Sequence, residues 1–182
     1  MVGLLATNIV GAAESRDSTM VMTIEGDTIE LTVPVSALSL RIPKGGLAPV
    51  EESKTGAQAS ARYFHLAGAS RGLVVSGWFE PAQAFKGFEK FWVSEFSAMK
   101  QSGLIPTAPP TSVAVGNWLG AAYEIPLPNG VAEGVSTHIR AELIKAGTWI
   151  DLHISITSLQ PLADVRSEAL EFLKSIVVNE KD

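Results

Sequence analysis

There is no cysteine among these 182 residues. That absence removes disulfides, thiolate nucleophiles and every Cys-ligated zinc or iron–sulfur site, and it leaves the compartment open. Charge is also sparse: 18% of residues are charged and the net charge is -5. A mildly acidic chain with no run of Lys or Arg has no electrostatic footprint for nucleic acid. No apolar run approaches the ~20 residues that a membrane-spanning helix needs. No phosphate-binding glycine loop is present either, because Gly45-Gly46 lacks a following Lys-Ser/Thr and no G-x-G-x-x-G follows a strand. Internal repeats and low-complexity stretches are missing as well. What remains is a chain that is 46% hydrophobic, long enough for one domain with a core and too apolar to be disordered.

The N-terminus reads in two ways. Val2 to Ala13 (VGLLATNIVGAA) has the apolar and small-residue character of the back half of a secretory signal, without the basic segment that normally precedes it. It reads equally as an ordinary apolar strand or helix. Residues 1–26 are therefore set apart as an N-terminal segment, a candidate signal remnant, and residues 27–182 form the expected single domain.

The organising stretch is Ser136 to Ser158. Ile139, Ala141 and Leu143 alternate with His138, Arg140 and Glu142. Further on, Ile150, Leu152, Ile154 and Ile156 alternate with Asp151, His153, Ser155 and Thr157. Period-two alternation gives each strand one apolar and one polar face. A two-residue turn at Ala146-Gly147 sets Lys145 opposite Thr148, and the register then puts Leu143 opposite Ile150, Ala141 opposite Leu152 and Ile139 opposite Ile154. A slip of one residue would turn one strand inside out. The same register places Ile144 opposite Trp149, Glu142 opposite Asp151, Arg140 opposite His153 and His138 opposite Ser155. Facing carboxylates repel, and Arg140, diagonal to Asp151, is positioned to neutralise them.

Elsewhere, Thr28–Val35 and Leu38–Ile42 read as strands, followed by a Gly/Pro/Ser-rich loop from Lys44 to Gln58. Ala61–Ala67 and Gly72–Phe79 read as a second hairpin. Pro81 is read as opening an amphipathic helix with Phe85, Phe88, Trp92, Phe96 and Met99 on one stripe and Gly103 as its stop. Ile105–Thr111 is an irregular connector, and Ser112–Val115 and Trp118–Ile125 are strands meeting at Gly116-Asn117. Pro126–Gly134 is another loop. A last helix is expected from Asp164 to Val178, capped by Asp164 and buried through Val165, Ala169, Phe172, Leu173 and Ile176, with a solvated tail after it. The order is four strands, a helix, four strands, a helix. Short turns imply an antiparallel sheet with the helices packed on it, an α+β fold.

Several segments carry a family likeness: Leu38-Ser-Leu-Arg-Ile-Pro43, the strand-then-helix passage Gly72–Met99, Val115–Glu124, and Trp149–Thr157 followed by Glu168–Ile176. In order and pattern, residues 28–178 resemble the PsbP-like superfamily, which includes the Mog-type Ran-binding proteins and many bacterial exported proteins. The resemblance implies an antiparallel β-sheet sandwiched by helices, an α/β/α sandwich, and a non-catalytic accessory or binding role. No family site carries over residue by residue, since neither a basic docking surface nor a Ran-binding motif maps onto this chain.

The ionisable candidates are His138, Arg140, Glu142, Asp151 and His153. Two imidazoles and two carboxylates are legal metal ligands, but Arg140 between them repels a cation, and a cross-strand salt-bridge network on a solvated or helix-flanked face explains them as well. His65 reads as a half-buried strand histidine. Gly68-Ala-Ser-Arg-Gly72 spells the G-x-S-x-G of a nucleophile elbow, yet Ser70 precedes a strand where that motif needs a helix. Asp151 and His153 are i and i+2 of one strand, so a hydrolase at Ser70 is the weakest reading. The expectation is a non-catalytic accessory or protein-interaction domain of a bacterial, periplasmic or secreted protein, its partner another protein and no cofactor implied. The alternatives are a small-molecule or metal-binding protein using the 138–157 hairpin, and a cytoplasmic location.

Overall fold

The computed structural model describes residues 19–34, 36–50, 62–69, 72–127, 134–158 and 162–181. Two antiparallel sheets and two helices make up this part, an α+β architecture. The larger sheet has seven strands, in the order β4 (Leu47–Pro49), β5 (Tyr63–Gly68), β6 (Leu73–Pro81), β10 (Thr148–Ser158), β9 (Val135–Lys145), β8 (Trp118–Pro126), β7 (Thr111–Val115). The smaller runs β1 (Val21–Glu25), β2 (Thr28–Thr32), β3 (Leu38–Pro43), β11 (Val177–Glu180).

The hairpin β9–β10 is the centre of the large sheet, and every pair derived above is present, from Lys145↔Thr148 to His138↔Ser155. Its turn has φ 46° at Ala146 and φ 73° at Gly147, two positive values in succession, as a primed hairpin turn requires. The apolar face, Ile139, Ala141, Leu143, Ile150, Leu152 and Ile154, is 0–3% exposed. It packs with Ile29, Leu31, Leu40 and Ile42 of the small sheet and with Val165, Ala169 and Leu173 of α2 (Leu162–Ser175) in one core. Full burial of each Leu, Ile or Val side chain among them is worth roughly 1.5–3 kcal/mol, which makes a one-residue register slip prohibitive.

The opposite face lies under α1 (Phe88–Gln101). Here the sequence reading needs correction. Pro81 does not open this helix: it is the last residue of β6, paired with Thr148, and leads into a single 3-10 turn, Ala82–Ala84. The helix begins after Gly87, whose φ of 97° breaks the chain direction, so Phe85 lies before it. Its end is as expected: Gly103 follows the C-cap Ser102, and the N–H groups of Gly103 and Leu104 donate to the carbonyls of Lys100 and Met99, which closes the last turn as a Schellman motif.

Three strands were not foreseen. β1 lies within the 1–26 segment and pairs with β2. β4 lies in the Lys44–Gln58 loop and pairs with β5. β11 replaces the end of the expected last helix and its tail, since α2 stops at Ser175 and Val177–Glu180 pair with β3. α2 starts at Leu162, so Asp164 is inside it rather than capping it. Among the described residues no helix is long and apolar enough to cross a membrane.

Candidate functional site

The five ionisable residues share the face beneath α1, and register extends that face sideways. In one row Tyr63, Trp78, Asp151, Glu142 and Leu119 follow one another across β5, β6, β10, β9 and β8. In the next come His65, Ser76, His153, Arg140 and Ala121. His138 neighbours Tyr123 and Ser155. The structure therefore brings all five candidates together, and it adds Tyr123, Trp78 and Trp149 from the strands and Glu95 from the helix.

Arg140 is the hub. Its Nη2 donates to Asp151 Oδ2 at 2.6 Å and its Nη1 reaches Glu95 Oε1 at 3.2 Å. The guanidinium carbon sits 5.5 Å from the ring centroids of both Trp78 and Phe91, one on the sheet and one on α1, within cation–π range. The Arg140 and Asp151 side chains are only 11% and 7% exposed. Burial works against the charge on Arg140, but Asp151 and Glu95 more than offset it and hold its pKa above the ordinary value.

Glu142 is 1% exposed. Burial, reinforced by the charge of Asp151, pushes its carboxyl up to about 9, against the pull of the Trp149 hydrogen bond and of Arg140. Burial also raises Asp151, opposed by Arg140 and by its hydrogen bonds from Arg140 and Glu142. Glu142 Oε2 accepts from Trp149 Nε1. Its Oε1 and Asp151 Oδ1 are both buried, with no donor supplied by any other group. A proton resident on Glu142 and donated to Asp151 satisfies both atoms at once. The facing carboxylates thus resolve as an acid–carboxylate pair.

The imidazoles are stacked, with centroids 5.2 Å apart and planes 11° apart, and Nδ1 of His138 lies 2.9 Å from Nε2 of His153. One ring donates to the other, so these two nitrogens are occupied. Tyr123 stacks on the far side of His138 at 5.1 Å. Burial lowers His138 to about 4. Burial, with Arg140 next, lowers His153 well below its usual value. Both rings are neutral at physiological pH. Among the described residues no group of three or more His, Asp or Glu is placed to hold a metal ion.

The helix above is held through aromatic edges: Phe91 against Trp149 with centroids 6.1 Å apart, and Phe96 against Tyr123 at 6.5 Å, with Phe85 of the preceding turn 5.2 Å from Trp149. The face is helix-flanked rather than solvated. Its chemistry is that of a closed network: one cation, its counter-charges, a neutral acid and neutral imidazoles, mostly bonded to one another. Glu95 was missed from the sequence, although it falls on the stripe of Phe88, Trp92 and Met99 at steps of four, three and four. A carboxylate on a sheet-facing stripe was the available signal.

Two other sequence candidates remain: His65, which shares the patch's face two strands from His153, and Ser70. His65 is half-buried on β5, with its ring 6.3 Å from that of Tyr63. Ser70 is outside the described residues. Gly68 ends β5 and Gly72 directly precedes β6, a strand where a nucleophile elbow would need a helix. Trp118 is in the core at 4% exposed, while Leu119 and Ile144 are 48% and 44% exposed. Surface hollows lie elsewhere. A hollow of ≈ 620 Å³ borders the outer side of α1 at Val93 and Ser97. Two grooves of ≈ 350 Å³ each flank α2, one along β7 and one reaching β11, and they share Val115 and Lys174.

No family model matches the chain. No curated protein matches it. Among solved structures it is similar to a crystal structure from Bacteroides thetaiotaomicron VPI-5482, at 11% identity and a TM-score of 0.46 over 80% of this chain. The chain spans 46% of that longer protein. It is also similar to the Saccharomyces cerevisiae Ran-binding protein Mog1p, at 10% identity and a TM-score of 0.47, covering 82% of this chain and 90% of that one.

Proposed function

We propose that the chain is a non-catalytic protein-interaction domain. One observation carries the reading: apart from the buried Nε of Arg140, the ionisable cluster spends its hydrogen bonds and charges on itself beneath α1, whereas the grooves and the open sheet edge face outward at β7 and α2. Buried charge that is internally paired positions elements, and recognition then falls to the rim of the rigid scaffold. Export from a bacterial cell is part of the proposal and rests on the composition of residues 2–13 alone; fractionation of the source cell tests it.

The experiment is photo-crosslinking in the source cell, with the crosslinker placed in turn at Ser112 and at Val93. The result expected is a discrete protein adduct from one of them. No protein adduct at either position, together with a small molecule or metal that co-purifies with the wild type and is lost in His138→Ala/His153→Ala, would overturn the reading in favour of ligand binding on the polar face.

A further inference from the structure

Among the described residues each sheet ends in two edge strands, and three of these four edges are guarded. β4 has three residues and ends in Pro49, β1 ends in Glu25, and β11 carries Glu180, tied to Lys145 at 2.7 Å. Short length, proline and charge are the devices that keep an edge from pairing with another chain. β7 has none of them. Its sequence is TSVAV, five residues with no charge and no proline, and among the described residues no strand lies beyond it.

The hairpin geometry says which groups are open. β7 and β8 are joined by the two-residue loop Gly116-Asn117, with Val115 paired to Trp118. In such a hairpin the closing pair exchanges both backbone hydrogen bonds and alternate pairs repeat the pattern. Thr111, Val113 and Val115 therefore bond to β8, and Ser112 and Ala114 direct their N–H and C=O groups outward. Both residues are exposed.

The two faces beside this edge differ. On the α2 side, Arg166, Leu170 and Lys174, four residues apart on one helix flank, line the groove along β7 together with Glu171. Arg166 donates to Thr111 Oγ1, which holds its guanidinium at the start of the strand. Lys174 pairs with Glu171, both more than half exposed, a contact worth little against a competing carboxylate. Two cations and one carboxylate give the groove a positive balance in a chain of net charge -5. On the α1 side, Ala114 is backed by its partner Leu119, with exposed Ile144 beyond.

We propose that β7 is a strand-addition site for an extended peptide in which acidic residues alternate with apolar ones. The backbone of Ser112 and Ala114 supplies the ladder, the acidic side chains turn toward Arg166 and Lys174, and the apolar ones turn toward Ala114 and Leu119. Main-chain bonds give such a site its affinity and the alternating side chains its specificity. This rests on the protein-interaction reading and names the partner's chemistry.

The test is selection from a phage-displayed library of random heptapeptides on the full chain, followed by fluorescence-polarisation binding of the enriched peptide. Enrichment of alternating apolar and Asp/Glu residues is expected. Ala114→Pro removes an outward N–H without touching the β7–β8 ladder, so it weakens binding at least tenfold with the melting temperature nearly unchanged. Arg166→Glu/Lys174→Glu, on the helix flank with Arg166 half-buried and Lys174 exposed, does the same for the acidic peptide and gives a readout even if the proline variant folds poorly. Amide shifts on titration of the wild type concentrate in residues 111–115. Peptides that bind Ala114→Pro and the double Glu variant as well as they bind the wild type would overturn this site while leaving protein binding intact. Failure to enrich any peptide would overturn it too. A concentration-dependent dimer abolished by Ala114→Pro would give the edge to a second copy of this chain and refute the peptide proposal.

Discussion

Replacing Glu142 with glutamine separates a buried neutral acid from a buried charge. With its carboxyl at about 9 in the fold against an ordinary 4.5, Glu142 holds a proton in the folded protein that the unfolded chain releases. The contribution is complete below the unfolded value and is lost as pH rises toward the folded one. In that window the folded state binds one more proton, and stability falls by about 1.4 kcal/mol per pH unit. Between pH 7 and 8.5 the wild type loses about 2 kcal/mol through this group. Glutamine keeps both hydrogen bonds, donating from Nε2 to Asp151 and accepting at Oε1 from Trp149, and it cannot titrate. Glu142→Gln is therefore expected to match the wild type within about 1 kcal/mol at pH 7 and to lack the alkaline decline. Urea unfolding followed by tryptophan fluorescence at pH 6.5 to 8.5 measures both quantities. Equal pH slopes in the two proteins, or a loss of more than about 3 kcal/mol at pH 7 in the glutamine variant, would refute the shared proton.

Two further outcomes are expected. Arg140→Met leaves Asp151 and Glu95 without their cation and is expected to cost about 3–5 kcal/mol, read by urea unfolding at pH 7. Ala146→Asn relieves an alanine held at φ 46° in a turn that prefers Asn-Gly, and it is expected to gain about 0.5–1 kcal/mol, visible as a higher melting temperature.

The central hairpin was legible because two constraints coincided. A two-residue turn fixed the offset, and the pairs Leu143/Ile150, Ala141/Leu152 and Ile139/Ile154 were all apolar, so a slip of one residue would have turned one strand's apolar face outward. The polar patch followed from the same arithmetic. β4 was not legible, being too short for any period to show. β11 was hidden because Ser175-Ile-Val-Val178 carries no Gly or Pro to mark the change, and Ile176 satisfies both the helical stripe and the core. Pro81 misled because a proline suits the first turn of a helix and the end of a strand equally, and the pairing of β6 with β10 decided between them. The cover over the patch depends on contacts between α1 and β8–β10 at long sequence separation. Local pattern carries no record of such contacts, and burial is what turns exposed-looking charges into an acid–carboxylate pair and two neutral imidazoles.

The account stands on that cluster being closed off from solvent. Carbon-13 NMR of the Glu142 carboxyl and nitrogen-15 NMR of His138 and His153 in a pH titration tests it most directly. The carboxyl is expected to titrate near 9, His138 near 4, and His153 well below the ordinary imidazole value. A Glu142 already ionised at pH 7, or histidines titrating near 6.5, would show an open, hydrated site and contradict it.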